Sequence, residues 1–316
     1  MFPVFPQTIE LHFSNTCTGN CAVCSKAHGK DRQHFVSNDV ITATIRRLQD
    51  TGKEDYNLQL GGDGDSFLHP YFLDHVARLK RELPDCHRCL YTSAFLLTPG
   101  RSDRIVRQRL IDEIQVRIDS LDPTLYYQST GMFLPVVLAN LEHFARVNDH
   151  ADLCLIYMPL YRYRQICEAA LHKPPTYFDR LDPALMRDEW SAVVRYAQGL
   201  AGPRSVAARV TGISLWAERT DCEFNDYPCP RLPEGKPGDM LRQLYVYPDG
   251  SYGLCGYDDG QDTFLLGNVF EDSIEDVWNG EKMRDYMDQI RNRTADKCPA
   301  CCVNPRACRM WDEVPA

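Results

Sequence analysis

Cys17, Cys21 and Cys24 stand in the run Ser14-Asn15-Thr16-Cys17-Thr18-Gly19-Asn20-Cys21-Ala22-Val23-Cys24, spaced C-x3-C-x2-C. Thiolate is the usual ligand of iron–sulfur clusters, so three cysteines in one short loop can hold three irons of a 4Fe–4S cluster. The fourth iron then has no protein ligand and is open to a small molecule, as a catalytic metal site keeps one position free. A zinc knuckle draws on the same ligand type, and spacing alone leaves that alternative standing. Just ahead of the loop, Thr8-Ile9-Glu10-Leu11-His12-Phe13 alternates polar and apolar residues, as a strand does.

The elements that must position this loop follow in order. Ser37-Asn38-Asp39 caps an apolar-periodic helix over Val40–Leu48. Patterning predicts strands at Tyr56–Leu60, Cys89–Phe95, Glu113–Asp119, Leu153–Tyr157 and Val210–Leu215. Helices are expected at Pro70–Leu83, Ile105–Arg109, Leu134–Val147 and Asp188–Leu200. Six strands alternating with helices imply an α/β fold, a parallel sheet with helices outside. Ligands in such sheets bind at the carboxyl ends of the strands. Gly61-Gly62-Asp63 occupies one such end, where glycine lets backbone come close to a ligand. It is also a good turn. Arg117 and Asp119 lie at the end of the fourth predicted strand.

From about Asp221 the composition changes. Seven cysteines follow, Cys222, Cys229, Cys255, Cys298, Cys301, Cys302 and Cys308. Two alternating segments around Pro248-Asp249-Gly250 read as a β-hairpin ending near Cys255. A Leu266–Val269 turn and a helix capped at Ser273 come next. Cys86, Cys89, Cys154 and Cys167 are expected to be buried apolar cysteines rather than ligands.

Composition limits the possibilities. A chain of 316 residues with 44% hydrophobic content can bury a sizeable core. No apolar run approaches the ~20 residues of a membrane span, and no basic-then-apolar signal peptide opens the chain. Fourteen cysteines without an export signal argue for metal binding over disulfides and for a cytoplasmic protein. A formal net charge of −9 disfavours nucleic acid and suits a cationic partner.

The C-x3-C-x2-C loop resembles the signature of the radical S-adenosylmethionine (radical SAM) enzymes, although Val23 replaces the usual aromatic before the third cysteine. The resemblance implies a partial (β/α)6 barrel over residues 1–216, with Cys17, Cys21 and Cys24 as cluster ligands. It implies that SAM chelates the open iron and is cleaved to a hydrogen-abstracting radical, with electrons from an external reductant of flavodoxin or ferredoxin type. Gly61-Gly62-Asp63 resembles the family's Gly-Gly-Glu stretch, which takes the SAM amino group. Arg117 and Asp119 match the segment near the SAM carboxylate and ribose; Arg117 otherwise reads as a surface arginine.

Residues 217–316 resemble the small cysteine-rich SPASM/twitch extension of that family. Its full cysteine run is broken here, so the resemblance implies one auxiliary 4Fe–4S cluster. Cys298 and Cys301 are its first ligands, Cys229 and Cys308 the next, and Cys222 and Cys302 stand in reserve. A structural zinc site is the alternative.

The first strand begins about eight residues in, which is expected to leave no room for a peptide-leader domain and so favours a small substrate. Length, the truncated cysteine field and acidity resemble enzymes of aminoglycoside biosynthesis, such as neomycin C epimerase. The expected activity is hydrogen abstraction from a sugar-like cationic compound, with inversion by a Cys255 thiol; a cysteine at the end of the hairpin can serve as donor or as cluster ligand, and the SPASM resemblance implies a ligand there. Asp258, Asp259, Asp262, Glu223 and Asp226 are candidate counter-charges. The alternatives are a carbinol dehydrogenase that passes an electron to the auxiliary cluster, or a peptide-modifying maturase.

Overall fold

The structure is a computed structural model that describes residues 5–21, 34–62, 64–157, 183–210, 243–254 and 265–292. Six parallel strands form the barrel: β1 (Thr8–Leu11), β2 (Asn57–Leu60), β3 (His87–Thr92), β4 (Glu113–Ile118), β5 (Asp152–Tyr157) and β6 (Val206–Val210). Each pairs with the next in chain order. The connections carry α1 (Asn38–Asp50), α2 (Phe72–Glu82), α3 (Pro99–Gln108), α4 (Pro123–Thr130), α5 (Leu134–Val147) and α6 (Pro183–Gly199).

Side chains alternate across a strand, and the two faces of this sheet differ accordingly. Leu58, Leu60, Leu90, Ile114, Val116 and Leu155 are all fully buried and belong to the main hydrophobic core. The residues between them, Gln59, Tyr91, Gln115 and Arg117, are only half-buried. One face thus packs under helices and the other is a polar inner face. The helices bury matching stripes: α1 turns Val40, Ile41, Thr44, Ile45 and Leu48 inward. Its first turn is capped by Ser37, whose hydroxyl accepts from the Val40 amide at 3.2 Å.

Residues after the barrel extend the same sheet. In β7 (Gln243–Val246) the chain pairs in parallel with β1, from Thr8 opposite Gln243 to Leu11 opposite Val246. The expected hairpin is present: β8 (Ser251–Gly253) runs antiparallel to β7, and β9 (Leu265–Asn268) antiparallel to β8. The described sheet therefore has the order β6-β5-β4-β3-β2-β1-β7-β8-β9. Two helices follow, α7 (Ile274–Asn279), capped by Ser273, and α8 (Glu281–Asn292). Arg47 of α1 donates to the carbonyls of Val269 and Phe270 at 2.9 and 3.2 Å, which fastens this extension to the barrel.

The sixth strand is described over Val206–Val210, so it starts four residues before the predicted Val210–Leu215, of which residues 211–215 lie outside the described residues. Its Val-Ala-Ala-Arg-Val run is poor in β-formers, and pairing with Leu153–Tyr157 supplies what propensity does not. The third helix begins at Pro99 rather than Ile105, with proline in its first turn. Helix α4 was not expected at all. No helix among the described residues is long and apolar enough to cross a membrane.

Candidate functional site

The carboxyl ends of β1, β2, β3 and β4 converge on the cysteine loop. Ser14 bridges Phe35, and the Asn15 side chain accepts from the His34 amide at 2.8 Å, which pins the start of the loop. Against it lies the turn after β2, where the Asp65 amide donates to the Thr16 carbonyl at 2.8 Å. Gly64 sits so close that a Cβ there would fall 2.2 Å from the Thr16 carbonyl and 2.7 Å from that of Ser14. Those are backbone atoms leading directly into Cys17, so they cannot move cheaply. Gly64→Ala is expected to destabilise the apo-protein by about 1–3 kcal/mol, the usual cost of overpacking. Urea denaturation measures this, and an unchanged midpoint would contradict the close approach.

Gly62 is similarly confined. A Cβ there would lie 2.1 Å from Glu10 Oε1 and 2.3 Å from His12 Nε2. Those two side chains are buried and hydrogen-bonded to each other at 2.7 Å. Glu10 Oε2 also accepts from Gln59 at 3.1 Å and from Gln243 of β7. Tyr245 and Tyr247 present ring edges to His12 at 5.8 and 5.2 Å. One carboxylate thus joins β1, β2 and β7 directly beneath the Gly61-Gly62 turn. At the end of β3, Ser93 hydrogen-bonds Asp65 at 3.4 Å. Burial raises the Asp65 pKa, against hydrogen bonds from Phe67 and Ser93.

At the end of β4, Arg117 does not lie on the surface. Its Nε and Nη2 donate to the two oxygens of Asp119 at 2.6 and 2.8 Å. Such a bidentate pair fixes both planes, and residues two apart on a strand share a face. Ser120 donates to Glu189 of α6, whose other oxygen is buried without a partner among the described residues. Burial pushes the Glu189 carboxyl up, countered by Ser120 and reinforced by Asp122 and Asp119.

Helix α4 is the shelf on which the cysteine loop rests. Asp122 caps it, accepting from the amides of Thr124 and Leu125 at 2.9 Å each, and Gly131 ends it in left-handed geometry. The Asn20 amide donates to the Thr130 carbonyl at 2.8 Å, and the Thr18 hydroxyl lies 3.8 Å from the Met132 sulfur. On the face that Thr130 shares, Tyr126 is 1% exposed, and its hydroxyl has no partner among the described residues. Burial drives its pKa well up, as do the nearby charges of Asp119, Cys21 and Cys17, so the phenol stays protonated.

Of the residues singled out from sequence, Cys17, Cys21, Gly61, Gly62, Arg117 and Asp119 are gathered here. Cys24, Asp63, Cys229, Cys255, Cys298, Cys301 and Cys308 lie outside the described residues. Cys86, Cys89 and Cys154 are buried, as expected. Patterning missed Glu10, His12, Tyr126 and Glu189. The Asp122-Pro123 cap and Gly131 were signals for α4 and hence for Tyr126, whereas Glu10 and His12 look like ordinary polar positions of a strand.

The donor set fits an iron–sulfur cluster. Cys17 and Cys21 are thiols rather than half-cystines, one exposed and one half-buried. The third cysteine, Cys24, lies outside the described residues, and among those described no group of three or more His, Cys, Asp or Glu gathers as a metal site.

Comparison with known proteins agrees. Residues 11–160 match the radical SAM superfamily, and residues 239–303 match SPASM, an iron–sulfur cluster-binding domain. A Pyrococcus furiosus relative, the tungsten-containing aldehyde ferredoxin oxidoreductase cofactor-modifying protein, is 21% identical over 318 residues, covering 93% of this chain and 86% of that one. The structure of BtrN in complex with AdoMet and 2-DOIA matches with a TM-score of 0.56 at 14% identity, over 95% of this chain and 93% of that one. Streptococcus suis SuiB bound to precursor peptide SuiA matches with a TM-score of 0.59 at 14% identity, over 95% and 72%. Identities this low speak for the fold alone. The radical SAM domain binds a 4Fe–4S cluster and SAM, and the SPASM domain binds auxiliary iron–sulfur clusters. The chain carries a radical SAM domain over residues 11–160 and a SPASM iron–sulfur domain over residues 239–303.

Proposed function

We propose that this radical SAM enzyme removes a hydrogen atom from a sugar-like, cationic natural product of the aminoglycoside class and inverts the carbon. When bound, cluster and SAM supply the 5′-deoxyadenosyl radical. Cys17, Cys21 and Cys24 hold the cluster in this reading. Gly61, Gly62 and Asp63 receive the SAM amino group, and the Arg117–Asp119 pair stands by its carboxylate and ribose. The polar inner face, with Gln59, Gln115 and Arg117, suits a hydroxyl-rich substrate, and the net charge of −9 suits a cationic one.

The supporting observation is the β7–β8 hairpin, which is present as its Pro248-Asp249-Gly250 turn predicts and leads in sequence to Cys255. Cys255 itself lies outside the described residues, and its reading as donor rests on the cysteine count: six others follow Asp221, enough for one four-ligand cluster. The Cys255 thiol would give its hydrogen atom to the carbon radical. One electron from the external reductant and one proton would then restore the thiol.

A second reading has one observation in its favour. The SPASM match spans Cys255 together with Cys298 and Cys301, as expected if all three were ligands. The auxiliary cluster, with Cys229 and Cys308 as further candidate ligands, would then accept an electron, and a carbinol would become a ketone. Turnover of amino sugars in deuterated water separates the two. Epimerisation is expected to place one solvent deuterium on the inverted carbon, and product lacking two hydrogens would overturn it in favour of oxidation.

A further inference from the structure

We infer that the Tyr126 hydroxyl is a positioning donor, hydrogen-bonded to the Cys21 thiolate of the assembled cluster. Tyr126 and Thr130 are four residues apart and so share one face of α4. The Thr130 carbonyl on that face receives the Asn20 amide, one residue before Cys21. Helical side chains lean towards the helix N-terminus, which aims the phenol at the end of β4. There the charges that reach it belong to Asp119, Cys21, Arg117 and Cys17.

A buried hydroxyl without an acceptor keeps its desolvation penalty, so its acceptor should arrive with the bound group. Asp119 already takes the Arg117 fork on both oxygens. Of the two described thiols in the loop, Cys21 is the one tied to α4 through its neighbour Asn20. Hydrogen bonds to cluster sulfurs are among the factors that set reduction potential. A donor here stabilises the more negative, reduced cluster and makes it easier to reduce. This inference rests on the cluster and holds for epimerisation and oxidation alike.

Tyr126→Phe removes only the hydroxyl. In reconstituted protein without SAM, a redox titration followed by electron paramagnetic resonance should show the midpoint fall. The expected loss is about tenfold in reduced fraction at fixed potential, or ~59 mV for a one-electron couple. The cluster concerned is identified as the one whose spectrum changes on adding SAM. Tyr127→Phe, at the exposed neighbouring position, should leave the midpoint unchanged. An unshifted midpoint in Tyr126→Phe overturns the inference, including the case where only SAM affinity falls and the hydroxyl serves SAM. A melting temperature several degrees lower in the apo-variant also overturns it, because the hydroxyl would then be satisfied by the protein itself.

Discussion

Replacing Cys17, Cys21 and Cys24 together by alanine is expected to reduce 5′-deoxyadenosine formation to background. In the proposed reading three thiolates hold the cluster on which SAM binds, and the neutral Met132 thioether beside Thr18 is a poor substitute for a thiolate. Ser14 and Thr16 offer hydroxyls and carbonyls, and these are committed to holding the loop, with Thr16 N bonded to Ser14 Oγ at 2.9 Å. The SPASM cysteines are separate in sequence, so about four of eight irons should remain, from one of two four-iron clusters. The fold should persist, since Cys17 is exposed and Cys21 half-buried. Anaerobic reconstitution, iron analysis and chromatography of the nucleoside products check each part. Nucleoside formation by the triple variant would remove these cysteines from the chemistry.

Cys255→Ala carries the second large effect. If Cys255 is the hydrogen donor, the variant keeps about eight irons and still consumes SAM, and inverted product falls at least about a hundredfold. The abstracted hydrogen can still return to the face it left, because 5′-deoxyadenosine holds it there. Return on the other face needs a second donor, which the variant lacks. Without Cys255, the region still has Cys222, Cys229, Cys298, Cys301, Cys302 and Cys308, enough for one four-ligand cluster. Loss of about four irons instead would make Cys255 a ligand and give the dehydrogenase reading the advantage.

Much of this was legible in the chain itself. The strand before the C-x3-C-x2-C loop depends on local alternation and read correctly, and so did the strand that leads into the Gly61-Gly62 turn. The hairpin around Pro248-Asp249-Gly250 did too, since its turn is encoded in three residues. Register was less accessible: β6 has little β-propensity and exists through its pairing with β5. The β7–β1 pairing joins residues more than two hundred positions apart, and no local pattern announces it.

The site divides along the same line. The types and spacing of Cys17, Cys21 and Cys24 are legible by themselves and narrow the chemistry to an iron–sulfur cluster or zinc, because metal ligation depends on a few donor atoms held close along the chain. Which groups surround that loop was decided only by tertiary structure. Glu10, Gln59 and Gln243 meet because three strands lie side by side. Gly64 is required because the turn after β2 packs on the backbone before Cys17. Tyr126 is buried beside the loop because α4, a short helix between Asp122 and Gly131, takes the Asn20 amide on its Thr130 carbonyl. Each depends on long-range contacts whose free energy is shared across the whole core, so no window of sequence contains it.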